Sequence, residues 1–239
     1  MSKLKNTSIS LRVLARLLAY PDAELRQHLP DMLSALLVEN ALPENRLTEL
    51  TTLIQILQNG EALENEAEYV QLFDKGHSTS LHLFEHVHGD SRDRGPAMID
   101  LAQTYEKAGL FLGPDEMPDY LPVVLEFVST QPPQEARAFL VEMAHIFNAI
   151  FNALQQRNSP YASILGALLE LAGENAHAVK IIADTPIDEA WEEPVAFDGC
   201  SVKGQTKPGQ EQAIHFVKTT TSQSSGATRA HGNEQGVLA

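Results

Sequence analysis

Proline and glycine cut most of this chain into stretches in which large apolar residues return every three or four positions, a spacing that admits helices and little else. Leu11, Leu14, Leu17 and Leu18 form one face of a first helix over roughly residues 10–20. Pro21 closes it, because the residue before a proline avoids the helical region. Leu25, Leu29, Met32, Leu33, Leu36 and Leu37 mark a second helix over 22–39, with Pro30 as a kink or break. Pro43 opens a third, through Leu47, Leu50, Ile54 and Leu57, ending near Gly60. The acidic stretch 61–73 reads as a fourth, with Tyr69, Leu72 and Phe73 turned inward. Met98, Leu101, Ala102 and Tyr105 carry a helix from Pro96 to Gly109, a good residue to end on with apolar Leu110 behind it. Asp119-Tyr120-Leu121-Pro122 starts another, which runs to about 130 and is broken by Pro132 and Pro133. A long helix over 134–157 follows, then 160–173 and 174–183. Hairpin dipeptides and β-branched clusters are almost absent, so the expectation is an all-α fold of about eight to ten helices in a single domain.

Beyond about residue 184 glycines multiply and large apolar residues thin out, leaving too little to bury against the cost of ordering the chain. The expected organisation is a helical domain over 1–198 and a flexible tail over 199–239, with Trp191-Glu192-Glu193 docking on the body. The formal charge of −15, from 32 acids against 17 bases, argues against nucleic acid or an anionic membrane as partner and favours a basic partner segment. One cysteine, Cys200, excludes an internal disulfide and a thiolate-rich metal or iron–sulfur site. Lys3 and Lys5 ahead of an apolar stretch imitate a signal peptide, but Arg12 and Arg16 interrupt that stretch on a helical face. No run approaches the roughly 18 apolar residues a membrane-spanning helix needs. The reading is a cytoplasmic protein with no membrane insertion.

Chemistry concentrates in residues 72–95, which hold four of the nine histidines and the charge alternation Asp90, Arg92, Asp93, Arg94. Leu81, Phe84 and Val87 at i, i+3, i+6 predict a short helix over 80–88 capped by Thr79 or Ser80. Gly89 would stop it, and Asp90 or Ser91 would cap the next. His82-Leu83-Phe84-Glu85-His86 matches an H-x-x-E-H pattern. On one helix His82 and His86 would share a face and could ligate zinc with Glu85 as base, giving a metal-dependent hydrolase. Histidines at the edge of a core, or facing a partner, explain the same residues without a metal. Arg92 and Arg94 could grip a phosphate or pterin-type anion, or could lock the corner by pairing with its acids.

The run Leu83-Phe84-Glu85-His86-Val87-His88-Gly89-Asp90-Ser91-Arg92-Asp93-Arg94-Gly95-Pro96-Ala97-Met98 resembles the signature of the molybdenum-cofactor assembly chaperones of respiratory nitrate reductase, also called the delta subunit. The lead-in Leu72-Phe73-Asp74 with Gly76 and Thr79-Ser80-Leu81 fits as well. So do Tyr20-Pro21-Asp22, Pro118-Asp119-Tyr120-Leu121-Pro122 and Trp191-Glu192-Glu193, spanning roughly residues 11–195. His82 stands where that family carries an aliphatic residue, which weakens the zinc reading. The resemblance implies an all-helical binding protein with no catalysis and no cofactor of its own. It implies a client, the apo catalytic (alpha) subunit of nitrate reductase with its N-terminal leader-like peptide. That client is held ready for the molybdenum cofactor while membrane attachment is delayed, with proteins of molybdenum cofactor biosynthesis as further partners. Candidate client contacts are Glu85, His86, His88, Asp90, Arg92, Asp93 and Arg94 in the corner, and Asp119, Tyr120 and Glu126 beyond it.

Overall fold

The apolar stripes condense into nine α-helices among the residues described by the structure, a computed structural model covering 5–88, 91–114 and 116–179. They are α1 (Ser8–Leu17), α2 (Ala23–Glu39), α3 (Glu44–Asn59), α4 (Ala62–Tyr69), α5 (Leu83–His88), α6 (Arg94–Lys107), α7 (Leu121–Ser129), α8 (Pro133–Gln156) and α9 (Ala162–Ala172). Among the described residues there is no strand, only an isolated antiparallel bridge between His82 and Tyr120. Residues 199–239 and the Trp191 segment lie outside the described residues.

Two helices with little polar content sit at the centre. In α9 every residue except Glu170 and Leu171 is buried, and in α7 every residue except Val123 and Glu126. The amphipathic helices cover them. α1 lies against α7 and α2, α8 lies along α9, and α3 packs on the opposite part of α9. Hydrophobic burial at about 25 cal/mol per Å² of apolar surface is what holds the arrangement together.

Helix ends follow local chemistry. Asp22 accepts from the Leu25 amide at 2.7 Å and starts α2. Pro30 sits inside α2 without breaking it. Gly109 at φ +80° ends α6, with the Gly109 amide donating to Glu106 and the Leu110 amide to Tyr105, both at 2.9 Å, a Schellman closure. The predicted fourth helix is α4 followed by a wide π-type turn, Val70–Asp74, in which the Lys75 amide reaches Val70 O. That turn puts Leu72 and Phe73 in the core, where Phe73, Tyr69 and Tyr161 pack ring against ring.

Two sequence expectations change. The helix over 174–183 does not form in its described part: residues 174–179 are non-helical. Gly173 at φ +81° turns the chain, and Asn148 on α8 then pairs with the His177 backbone, accepting its amide at 2.9 Å and donating to its carbonyl at 3.0 Å. A side-chain amide in the core has taken the backbone groups a further helix would have used. Secondly, the corner helix begins at Leu83, not at residue 80, so Leu81, Phe84 and Val87 do not share one helical face. Leu81 is buried while Val87 is 51% exposed.

Candidate functional site

Residues 80–82 run extended because they pair with the chain just before α7. The Leu83 amide donates to Asp119 O at 3.0 Å and the Leu121 amide to Leu81 O at 2.8 Å. This clamp delivers the Asp119 side chain under the corner, with no exposure. Its Oδ2 accepts from the Phe84 amide at 3.2 Å, so Asp119, 35 residues away, caps α5 in place of Thr79 or Ser80. Thr79 instead donates its hydroxyl to Leu72 O, and Ser80 Oγ accepts from the His82 amide at 3.2 Å.

The Asp119 carboxylate also draws in two bases. His82 Nδ1 lies 3.3 Å from Oδ1, and the Arg94 guanidinium is 3.9 Å from Oδ2 and 3.5 Å from Glu85. The hydrogen bond to Asp119 raises the His82 pKa above its ordinary value, opposed by burial and by Arg94 and reinforced by the Asp119 and Glu85 charges. A carboxylate with no exposure is costly unless such groups surround it, and here a backbone amide, an imidazole and a guanidinium do.

Glu85 and Arg94 therefore pair with each other. His86 is tied through Nε2 to Ser80 O at 2.8 Å, which requires the proton on that nitrogen. His88 packs its ring against Phe84 with centroids 5.4 Å apart. Asp93 precedes α6 and shares a hydrogen bond with Ser91 at 3.2 Å. Arg92 is exposed and has no side-chain partner among the described residues. Asp90 lies outside the described residues. Of the two expected arginine roles, Arg94 takes the corner-locking one.

The zinc expectation loses its premise. His82 belongs to the bridge and His86 to α5, so they are not successive turns of one helix, and their ring nitrogens point at different partners. Among the described residues no group of three or more His, Cys, Asp or Glu is set to hold a metal.

Tyr120, next to Asp119, faces the other way. Its hydroxyl lies 3.1 Å from that of Tyr69, which donates to Leu18 O at 2.8 Å. The two phenols floor a groove of about 590 Å³ walled by Tyr20, Phe73, Leu81, Pro122 and Val123, with Asp74, Glu116 and Glu126 at its rim. A second cavity of about 360 Å³, under Leu110, Phe111 and Leu112 and bounded by Arg12, shares Glu116, Val123 and Glu126 with the first. The two flank the single exposed stripe of α7. Phe111 stands 78% exposed at the lip, with Met117 at 44%. Of this lining the sequence reading named Tyr120 and Glu126 as candidates, but not Tyr20, Tyr69, Asp74 or Glu116. Tyr69 and Tyr120 are 51 residues apart, and no spacing rule joins them.

A family model described as the nitrate reductase delta subunit matches residues 39–165, taking in the corner, the bridge and α7. The chain belongs to that family. It is 42% identical over 195 residues to the nitrate reductase molybdenum cofactor assembly chaperone NarJ of Escherichia coli, covering 77% of this chain and 83% of that one. A second relative in the same organism, named probable nitrate reductase molybdenum cofactor assembly chaperone NarW, is 38% identical over 82% of each chain. Among solved structures, an Archaeoglobus fulgidus protein described as a redox enzyme maturation protein superposes with a TM-score of 0.53, covering 73% of this chain and 98% of that one. At 20% identity that likeness speaks for the fold alone. In this delta-subunit chain no described helix is long and apolar enough to cross a membrane.

Proposed function

We propose that this protein is a dedicated assembly chaperone which binds the apo catalytic subunit of a respiratory nitrate reductase, including its N-terminal leader-like segment. It acts in the cytoplasm by binding and not by catalysis. It keeps the client open to molybdenum cofactor insertion, delays its attachment to the membrane and then leaves. Proteins of molybdenum cofactor biosynthesis are its further partners. The names and identities of the relatives support this reading, and one structural observation carries it. An otherwise buried helix, α7, opens a single stripe between two adjoining cavities of mixed lining that share the Glu116 and Glu126 carboxylates, the larger of them free of lysine and arginine among the described residues. That is the shape and charge for holding an amphipathic basic segment. The corner carries the second client contact through Arg92, with Glu85, His86, Asp93 and Arg94, on a frame that Asp119 holds by capping α5 and pairing with Arg94.

Co-purification tests the proposal. Tagged protein should retain the apo catalytic subunit, and removing the client's first residues should weaken retention. Cells lacking the chaperone should hold that subunit without cofactor and without nitrate reductase activity. Full activity in such cells would refute the reading.

A further inference from the structure

Every phenolic proton at the larger groove is turned away from it. Burial raises Tyr69 and Tyr120 above the ordinary phenol pKa, so both keep their protons at neutral pH. Each has one proton to give. Tyr69 gives its own to Leu18 O. In the 3.1 Å contact between the two hydroxyls Tyr120 is therefore the donor, and only its lone pairs remain for the groove. Tyr20, on the opposite wall, spends its proton on Glu66 at 3.1 Å.

The carboxylates point the same way. Among the described residues Asp74 and Glu126 have no side-chain partner, and Glu116 uses one oxygen on the Gly113 amide at 2.7 Å. No lysine or arginine lines this cavity among the described residues, and its one base, His82, has its Nδ1 committed to Asp119.

We infer that the groove along α7 selects a client segment by a lysine or arginine side chain, received by the Tyr120 hydroxyl oxygen and the Glu126 and Asp74 carboxylates, while neighbouring apolar residues fill the walls. A neutral donor would satisfy the geometry but forgo the charge, and an acceptor or an anion would meet lone pairs at the Tyr120 oxygen and at both carboxylates. Tyr120 and Glu126 are then specificity residues and not merely parts of an acidic surface. This rests on the groove being the client site.

Calorimetric titration of the full chain tests it. The probe is a synthetic peptide copying the client's first 20 or so residues, with each lysine replaced singly by norleucine and each arginine by citrulline. One such replacement should weaken binding about tenfold to a hundredfold, the range for a hydrogen bond to a charged group. In Glu126→Gln the same replacement should cost less than about threefold, because the cation has lost its acceptor. Glu142→Gln on α8 removes the same charge away from the groove and should preserve the full penalty. Tyr120→Phe, checked for a native circular dichroism spectrum, should likewise shrink the penalty. If the unmodified peptide binds and no cation replacement matters by more than about threefold, the selectivity inference is overturned while the chaperone reading stands. The same holds if the penalty is unchanged in Glu126→Gln and Tyr120→Phe. If no peptide binds, both fall together.

Discussion

Replacing Asp119 by alanine should cost more than any other single polar change in the corner. The substitution removes the cap on α5, worth about 1 kcal/mol. It also removes charge-assisted contacts to His82 and Arg94, in a class worth about 1.5–3 kcal/mol when shielded. His82 and Arg94 side chains are 35% and 29% exposed, so water recovers part of the second contribution. A net loss of about 3 kcal/mol follows. For a domain of this size that lowers the melting temperature by about 6–12 °C. A pH signature separates this from a general packing defect. The folded-state pKa of His82 lies above its ordinary 6.5, so its contribution is complete below that value and disappears as pH rises through the raised one. Wild type should therefore lose, between pH 6 and pH 8, an increment of stability that Asp119→Asn does not lose. Thermal melts followed at 222 nm at both pH values provide the measurement. A melt for Asp119→Ala within about 2 °C of wild type at pH 6 would show that the buried carboxylate does not hold the corner.

Arg94→Ala should lower stability by about 1–3 kcal/mol in urea titrations, because Glu85 and Asp119 lose their shared partner. Arg92→Ala should stay within about 0.5 kcal/mol of wild type yet reduce nitrate reductase activity in cells, and equal effects on both counts would remove the distinction between them. Gly76→Ala should destabilise by about 1–3 kcal/mol, since a Cβ there would lie 2.7 Å from Leu72 O and 2.8 Å from Arg157 Nη1; an unchanged urea midpoint would show that the turn relaxes freely. Truncation after residue 198 should leave the melt and client retention unchanged, as we propose that residues 1–198 form the working domain. Loss of cooperative unfolding would move that boundary.

What was legible in the sequence was what depends on neighbours in the chain. Leucine spacing and the punctuation by Pro21, Pro43, Gly60, Gly109 and Pro132 located the helices, because periodicity and caps act within a turn or two. The expectations that failed were decided by residues far away. Thr79 and Ser80 are good capping residues, but Asp119 reaches the α5 amide first and the local candidates turn to other partners. Val87 fits a helical stripe that the early part of the segment abandons in order to pair with Leu121. Residues 174–179 have adequate helix formers, yet Asn148 offers their backbone a partner in the core. The corner was visible as a concentration of charge, whereas the groove was not, since its floor joins Tyr69 to Tyr120 and its walls come from the turn after α1, the π-type turn and α7.

Asp119 and Tyr120 are adjacent, and the bridge to residues 81–83 fixes which way each faces. One carboxylate goes down to cap α5 and hold Arg94, and the next phenol goes up to floor the groove. Any displacement of Tyr120 by a bound segment must pass through the same two backbone hydrogen bonds that clamp the corner, Leu83 to Asp119 and Leu121 to Leu81. The corner is held lightly otherwise: α6 buries only Tyr105, whose hydroxyl donates to Pro118 O at 2.7 Å, one residue before Asp119. Apart from the His86 bond to Ser80 O, the polar tethers of α5 and α6 thus converge on residues 118–121, the entry to α7. If the groove is the client site, as we propose, a segment seated on α7 should bias the corner, and with it Arg92, through that entry. Amide exchange offers a direct check: peptide binding should slow exchange at Phe84 and Leu83 although neither lines the groove. Unchanged exchange at both would separate the two surfaces.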